Sequence, residues 1–317
     1  MAAEGGNDVV WFTYTGADDE VIDEEATHIT VGEGVTFVRG SAFEGWEYDM
    51  VNDEYRTRNT SLTIVEFICH DKVEKIESFA FNECHKLRRA IMPGVKIIEH
   101  GVFCRCTDLM DVECEKLEII GQYAFENLRS LRSINLPSAR IVRKGAFQGS
   151  DALKDVNFGS KLERIGERAF YGCFDLERIT IPLKEGESLF TADNIFQACE
   201  KLERVTLVEE DEATLQRLVA ALHLEQWRND MNEEIDSVNQ ILPTARAGEF
   251  RGDYDHGGKA EVIRRWIRSV LDKIAYYQVE HRCILEDVAA TLQLALPRDI
   301  VVNNVLPFLK LPAHTFE

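Results

Sequence analysis

Leu162-Glu-Arg-Ile-Gly-Glu-Arg-Ala-Phe170 leads through Tyr171 and Gly172 into Cys173-Phe-Asp-Leu-Glu-Arg-Ile-Thr-Ile-Pro182. Outward from this stretch the same spacing recurs. The Ala169-Phe170 pair has counterparts at Ala42-Phe43, Ala80-Phe81, Val102-Phe103, Ala124-Phe125, Ala146-Phe147 and Ile195-Phe196. From Phe81 onward the steps between these phenylalanines are 22, 22, 22, 23 and 26 residues, a regularity that chance does not give. A fixed period of this length marks a solenoid, whose units stack on their neighbours because none can bury its apolar side alone.

The other positions keep register with phenylalanine. Three residues after it stand Cys84, Cys106, Leu128, Ser150, Cys173 and Cys199, and six after it a leucine in every unit, from Leu87 to Leu202. Nine after it come Ala90, Val112, Ile134, Val156, Ile179 and Val205; eleven after it, Met92, Cys114, Leu136, Phe158, Ile181 and Leu207. Apolar residues two apart, alternating with mostly polar ones, predict a half-buried strand. Pro93, Pro137 and Pro182 lie just past that strand, where a missing donor ends it. The predicted fold is a β-rich α/β solenoid over 26–208, with a parallel sheet on its concave face. Gly121 and Gly166 suit the tight turn before the Ala-Phe segment.

The unit quoted above resembles the BspA-like leucine-rich repeat, and the resemblance covers about residues 26–208. It implies a solenoid that works by binding other macromolecules, and many members of that family are displayed on cell surfaces. The opening MAAEGGNDVVWFTYTG lacks a basic n-region and a long apolar run, so the expected compartment is the cytoplasm or nucleus, with surface display left open.

Two departures from the period are informative. The step from Phe43 to Phe81 is 38 residues, which places an inserted loop near 46–58. Its aromatics Trp46, Tyr48 and Tyr55 are candidate contact residues. Residues 1–25 read as an N-terminal capping segment, with Val9–Thr15 and Glu20–Asp23 as a hairpin. Ala26–Val31 with Val35, Val38 and Ala42 fits a first, incomplete repeat.

Charge is unevenly placed. The net charge is −20, and residues 1–60 carry 14 acids against 3 bases, whereas 61–207 are nearly balanced at 23 against 21. This argues against nucleic acid as a partner, since phosphate binding needs clustered Lys and Arg. No stretch approaches the roughly 18–20 apolar residues of a membrane helix, so no membrane insertion is expected.

Beyond Val208 the period changes to that of helices, over about 211–242 and 259–296, within a helical C-terminal domain of 209–317. Ile263, Ile267, Val270, Ile274, Tyr277, His281, Ile284 and Val288 form a heptad-like seam. It fits either an antiparallel helix pair covering the last repeat or a coiled coil joining two copies of the chain. The terminal segment 297–317, led by Leu296-Pro297 and continuing to Leu309, resembles the opening of an F-box but is too short for one.

Catalytic motifs are absent: there is no Gly-x-Ser-x-Gly elbow, phosphate-binding glycine loop or His-Glu-x-x-His. No cofactor or metal is expected either. Cys84, Cys106, Cys173 and Cys199 share one repeat position, while Cys69 and Cys114 take the inward strand position, where cysteine packs as a small hydrophobe. The best binding surface is the outward side of the predicted strands. One row is Arg89, Asp111, Ser133, Asp155, Arg178 and Arg204; the other is Ile91, Glu113, Asn135, Asn157, Thr180 and Thr206. Mixed signs on a rigid sheet favour a protein or peptide partner, and the expected role is a non-catalytic interaction scaffold. Two alternatives stay open. One is a surface or adhesion protein, given Arg251-Gly252-Asp253 and the acceptor tripeptide Asn59-Thr60-Ser61; the other is a ubiquitin-ligase adaptor working through the F-box-like end.

Overall fold

The structure is a computed structural model, and it describes residues 9–17, 20–23, 25–44, 46–49, 54–57, 64–184, 189–221, 225–245, 258–294 and 301. Each repeat contributes two parallel strands and a turn, which make three sides of a coil. On the first side β1 (Trp11–Tyr14), β2 (His28–Val31), β6 (Glu66–Ile68), β8 (Arg89–Ile91) and β10 (Asp111–Glu113) pair in sequence. The row continues in β12 (Ser133–Leu136), β14 (Asp155–Phe158), β16 (Arg178–Ile181) and β17 (Arg204–Leu207). The alternation read from the sequence puts Ile134, Leu136, Val156 and Phe158 inside and their neighbours outside.

A second parallel sheet follows the first and was not expected from the sequence. It consists of β3 (Phe37–Val38), β7 (Lys75–Ile76), β9 (Ile97–Ile98), β11 (Ile119–Ile120), β13 (Ile141–Val142) and β15 (Arg164–Ile165). Two residues per strand are too few for an alternation to be legible, and only the inward one, such as Ile98 or Val142, is buried.

The third side is the Ala-Phe turn. The phenylalanine amides from Phe43 to Phe170 donate to the next repeat, as in Phe103 N–H to the Ala124 carbonyl at 2.8 Å and Phe125 N–H to that of Ala146 at 2.7 Å. The rings of Phe43, Phe81, Phe103, Phe125, Phe147, Phe170 and Phe196 are essentially fully buried. They stack with centroids 4.7 to 5.5 Å apart and planes within 14° of parallel. Aromatic pairs of this kind contribute about 0.5–1.5 kcal/mol each beyond the area they bury.

Glycines serve this packing in a way the sequence reading missed. Gly121 has no left-handed backbone. A Cβ there would stand 2.2 Å from the Glu99 carbonyl oxygen, so it is close approach between repeats that requires glycine. The left-handed positions lie two residues before and two after phenylalanine, and are filled by residues as different as Tyr123 (φ 55°), Gly145 (φ 61°) and Arg105 (φ 60°).

The N-terminal hairpin expected over 9–23 does not form. Trp11–Tyr14 pairs in parallel with His28–Val31, so β1 is a further solenoid strand. The insertion near 46–58 contains an antiparallel pair, β4 (Trp46–Asp49) with β5 (Glu54–Thr57), in which Tyr48 is opposite Tyr55 and Trp46 opposite Thr57. Asn59–Ser61, Arg251–Asp253 and 302–317 lie outside the described residues.

In the helical part, the span expected as one helix over 211–242 is α1 (Glu209–Ala221) and α2 (Glu225–Ile241), followed by α3 (Lys259–Gln293). α2 and α3 run antiparallel. Trp266 Nε1 donates to the Glu234 carbonyl at 2.9 Å, and the Tyr277 hydroxyl to Asp230 at 2.8 Å, with Trp227 stacked on Tyr277. Ile263, Ile267, Val270, Ile274, Tyr277 and His281 are buried within the chain, so this part of the seam is filled by the molecule itself; Ile284 is exposed.

The pair closes the last repeat through polar contacts. Asn239 Oδ1 accepts from the Val205 amide at 3.0 Å, which satisfies a strand-edge donor. Lys259, at 2% exposure, donates from Nζ to the Glu200 carbonyl at 3.1 Å and also to that of Leu202. Burial pulls its pKa below the ordinary lysine value. Lys259→Ala strands two carbonyls and is expected to destabilise the chain by about 1–3 kcal/mol. Urea unfolding checks this, and an unchanged midpoint would remove Lys259 from the account of how the helices dock.

Candidate binding face

The parallel register carries one residue of each strand into the same outward line. The first line is Trp11, His28, Glu66, Arg89 and Asp111, resuming as Ser133, Asp155, Arg178 and Arg204. Beside it run Thr13, Thr30, Ile68, Ile91 and Glu113, then Asn135, Asn157, Thr180 and Thr206. All the predicted face residues therefore fall in two rows. The sequence reading missed the first three strands because no Ala-Phe pair lies between β1 and β2 and the insertion separates β2 from β6. The alternation in His28-Ile-Thr-Val31 was the available signal.

Much of the charge on this face is compensated from repeat to repeat. Arg89 reaches Asp111 at 2.9 Å, Glu113 at 2.5 Å and Glu66 at 3.3 Å. Arg178 makes a two-pronged pair with Asp155, one prong at 3.0 Å. Hydrogen bonding to Glu113 raises the pKa of Arg89, and bonding to Asp155 raises that of Arg178. Thr180 bridges Asn157 at 2.9 Å and Thr206 at 2.8 Å. Exposed pairs of this kind add little stability, but they hold long side chains in fixed orientations. At one junction like charges are register neighbours: Arg204 follows Arg178, whose own partner is Asp155. Trp46, Tyr48 and Tyr55 sit on the β4–β5 hairpin, separate from the two rows, and their side chains lie outside the described residues.

The cysteine row has a polar duty beyond packing. Cys84, Cys106, Cys173 and Cys199 each donate from Sγ to the carbonyl of the preceding repeat's phenylalanine, at 3.1, 3.0, 3.1 and 2.9 Å. Ser150, in the same position, does so at 2.7 Å to Phe125. A thiol and a hydroxyl are interchangeable there because both are small donors, and Leu128 fills the same position in one repeat by packing alone. All eight cysteines are free. Burial pushes the thiols of Cys69, Cys104, Cys114 and Cys199 up to about 12, and those of Cys84, Cys106 and Cys173 also rise. Burial of this kind favours the neutral thiol over the nucleophilic thiolate. Among the described residues no group of three or more His, Cys, Asp or Glu could hold a metal ion, and no helix is long and apolar enough to cross a membrane.

A stacked array of this construction, with strand rows on one side and a phenylalanine core, defines a leucine-rich-repeat solenoid. The sequence profile of the BspA type leucine rich repeat region matches in six copies over residues 54–141 and 118–226, more than half of the chain. The chain belongs to that family. Similar solved structures include bacterial leucine-rich-repeat proteins. The leucine rich repeat protein of T. pallidum shares 19% identity over 63% of this chain and 84% of its own, with a TM-score of 0.38. Pneumococcal vaccine antigen PcpA shares 17% over 60% of this chain and 47% of its own, with a TM-score of 0.39. A leucine rich cell surface protein of Faecalibacterium prausnitzii shares 20% over 60% and 62%, with a TM-score of 0.26. No curated protein matches the chain.

The burial pattern predicts the thiol chemistry. Cys283 is exposed on α3 and should react within minutes with a thiol reagent at neutral pH, while the five buried cysteines, Cys69, Cys106, Cys114, Cys173 and Cys199, react only on unfolding. Rapid labelling of Cys106 or Cys173 in the folded protein would contradict the assigned row.

Proposed function

We propose that the chain is a non-catalytic interaction scaffold that holds a protein or peptide partner against the two outward rows of its first sheet. The supporting observation is the Arg178–Arg204 junction. Along the first row opposite charges lie side by side or polar residues intervene, whereas Arg178 and Arg204 are register neighbours of like charge and the carboxylate of Asp155 is engaged by Arg178 alone. Like charges directly opposite on neighbouring strands are unfavourable. A partner carboxylate placed between them relieves that repulsion, while Asn157, Thr180 and Thr206 in the next row offer hydrogen bonds. The fixed side chains lose little freedom on binding. The cytoplasm or nucleus fits this reading, since eight free thiols survive best where reduction is maintained.

The test is affinity purification with the intact chain as bait, followed by binding measurements on the partner recovered. Arg178→Glu with Arg204→Glu should weaken that binding by about tenfold or more, because two favourable charge contacts become repulsive. The unfolding midpoint should stay nearly constant, since both side chains are exposed. Unaltered binding by the double variant would remove the face from the proposal.

A further inference from the structure

We infer that the free edge of β1 is a docking strand for an extended, lysine- or arginine-bearing peptide of another protein. β1 is the terminal strand of its sheet. The carbonyls of Val10 and Tyr14 accept from His28 and Gly32, at 3.0 and 2.9 Å, so the alternating backbone turns the amides and carbonyls of Trp11 and Thr13 away from β2. Among the described residues nothing bonds to them from that side. The opposite end of the solenoid is treated differently: Asn239 meets the Val205 amide and Lys259 meets two carbonyls. Phe12 and Ile22 are only partly buried against the core at the β1 end, so apolar surface accompanies the open backbone.

Charge selects the occupant. Residues 1–60 carry 14 acids against 3 bases, while the repeats beyond them are nearly neutral. Glu20 folds back onto the amides of Thr15 and Gly16, at 2.7 and 2.9 Å, which sets a carboxylate at the exit of β1. Exposed Asp23 and Glu25 follow on the way to β2. Trp11, 53% exposed and with its ring 4.9 Å from that of His28, heads the first outward row. A basic side chain on an added strand would fall next to Trp11 in that row, where an aromatic face favours a cation. A second copy of this chain would bring acid to acid. Residues 1–8 carry Glu4 and Asp8 and no base, so they lack the complementary charge. Strand addition of this kind draws affinity from backbone hydrogen bonds and specificity from alternate side chains.

The experiment compares two synthetic peptides that alternate threonine with lysine or threonine with glutamate, added to the full chain. Binding is followed by tryptophan fluorescence and by amide hydrogen exchange. The lysine peptide should bind, weaken as salt is raised, and slow exchange at Trp11 and Thr13 while leaving 133–207 unchanged. Thr13→Pro removes an outward donor without touching the β1–β2 ladder and should weaken binding by about tenfold, the worth of one backbone hydrogen bond. Trp11→Thr, a substitution at an exposed strand position, should weaken it as well and covers the case in which the proline variant fails to fold. Arg178→Glu with Arg204→Glu should leave this binding unchanged, which separates the edge from the face proposed above. Equal binding of both peptides, no binding of the lysine peptide, or full binding by either β1 variant would overturn the inference.

Discussion

The stack of seven phenylalanine rings, from Phe43 to Phe196, sets the distance at which every other part of the solenoid meets its neighbour. Rings 4.7 to 5.5 Å apart lie at or slightly above the roughly 4.7–4.9 Å between neighbouring strands, so the aromatic row and the two sheets advance together, one layer per repeat. The small donor three residues later depends on the same rise. Cys106 or Ser150 reaches the preceding phenylalanine carbonyl only because the rings are one layer apart. Gly121 answers the same constraint from the backbone side, where no Cβ can be accommodated against Glu99. Packing, hydrogen bonding and composition thus follow from one repeated distance.

How much of this could be read in advance varied with the length of each signal. The phenylalanine, leucine and strand positions were legible because six units repeat them. The second sheet was not, since strands such as Ile119–Ile120 present a single inward residue and no alternation. The strand at Trp11–Tyr14 looked like part of a cap because no Ala-Phe pair separates it from His28–Val31, so the marker of the period is missing there. Lys259 and Asn239 were invisible as docking residues. Their roles depend on carbonyl and amide groups 34 or more residues away, which no local pattern records. The two outward rows were foreseen for six strands and missed for three.

The two ends of the array are finished by different means. The last repeat is sealed by helices whose side chains take up its loose backbone groups, and a buried ammonium is tolerated because two carbonyls receive it. The first strand instead carries partly covered apolar residues and acidic surroundings. Between the ends, charge pairs such as Arg89–Asp111 and Arg178–Asp155 keep the outward face polar and orderly, and like charges are register neighbours at Arg178 and Arg204.

Native-state hydrogen exchange tests most directly whether repeats are held by their immediate neighbours through the phenylalanine row. The amides of Phe81, Phe103, Phe125 and Phe147 each donate to the following repeat. Their protection should be greatest in the middle of the stack and decline toward Phe43, as a chain of nearest-neighbour contacts requires. Exchange of the Phe125 amide as fast as that of an exposed turn, or equal protection at every phenylalanine, would contradict it.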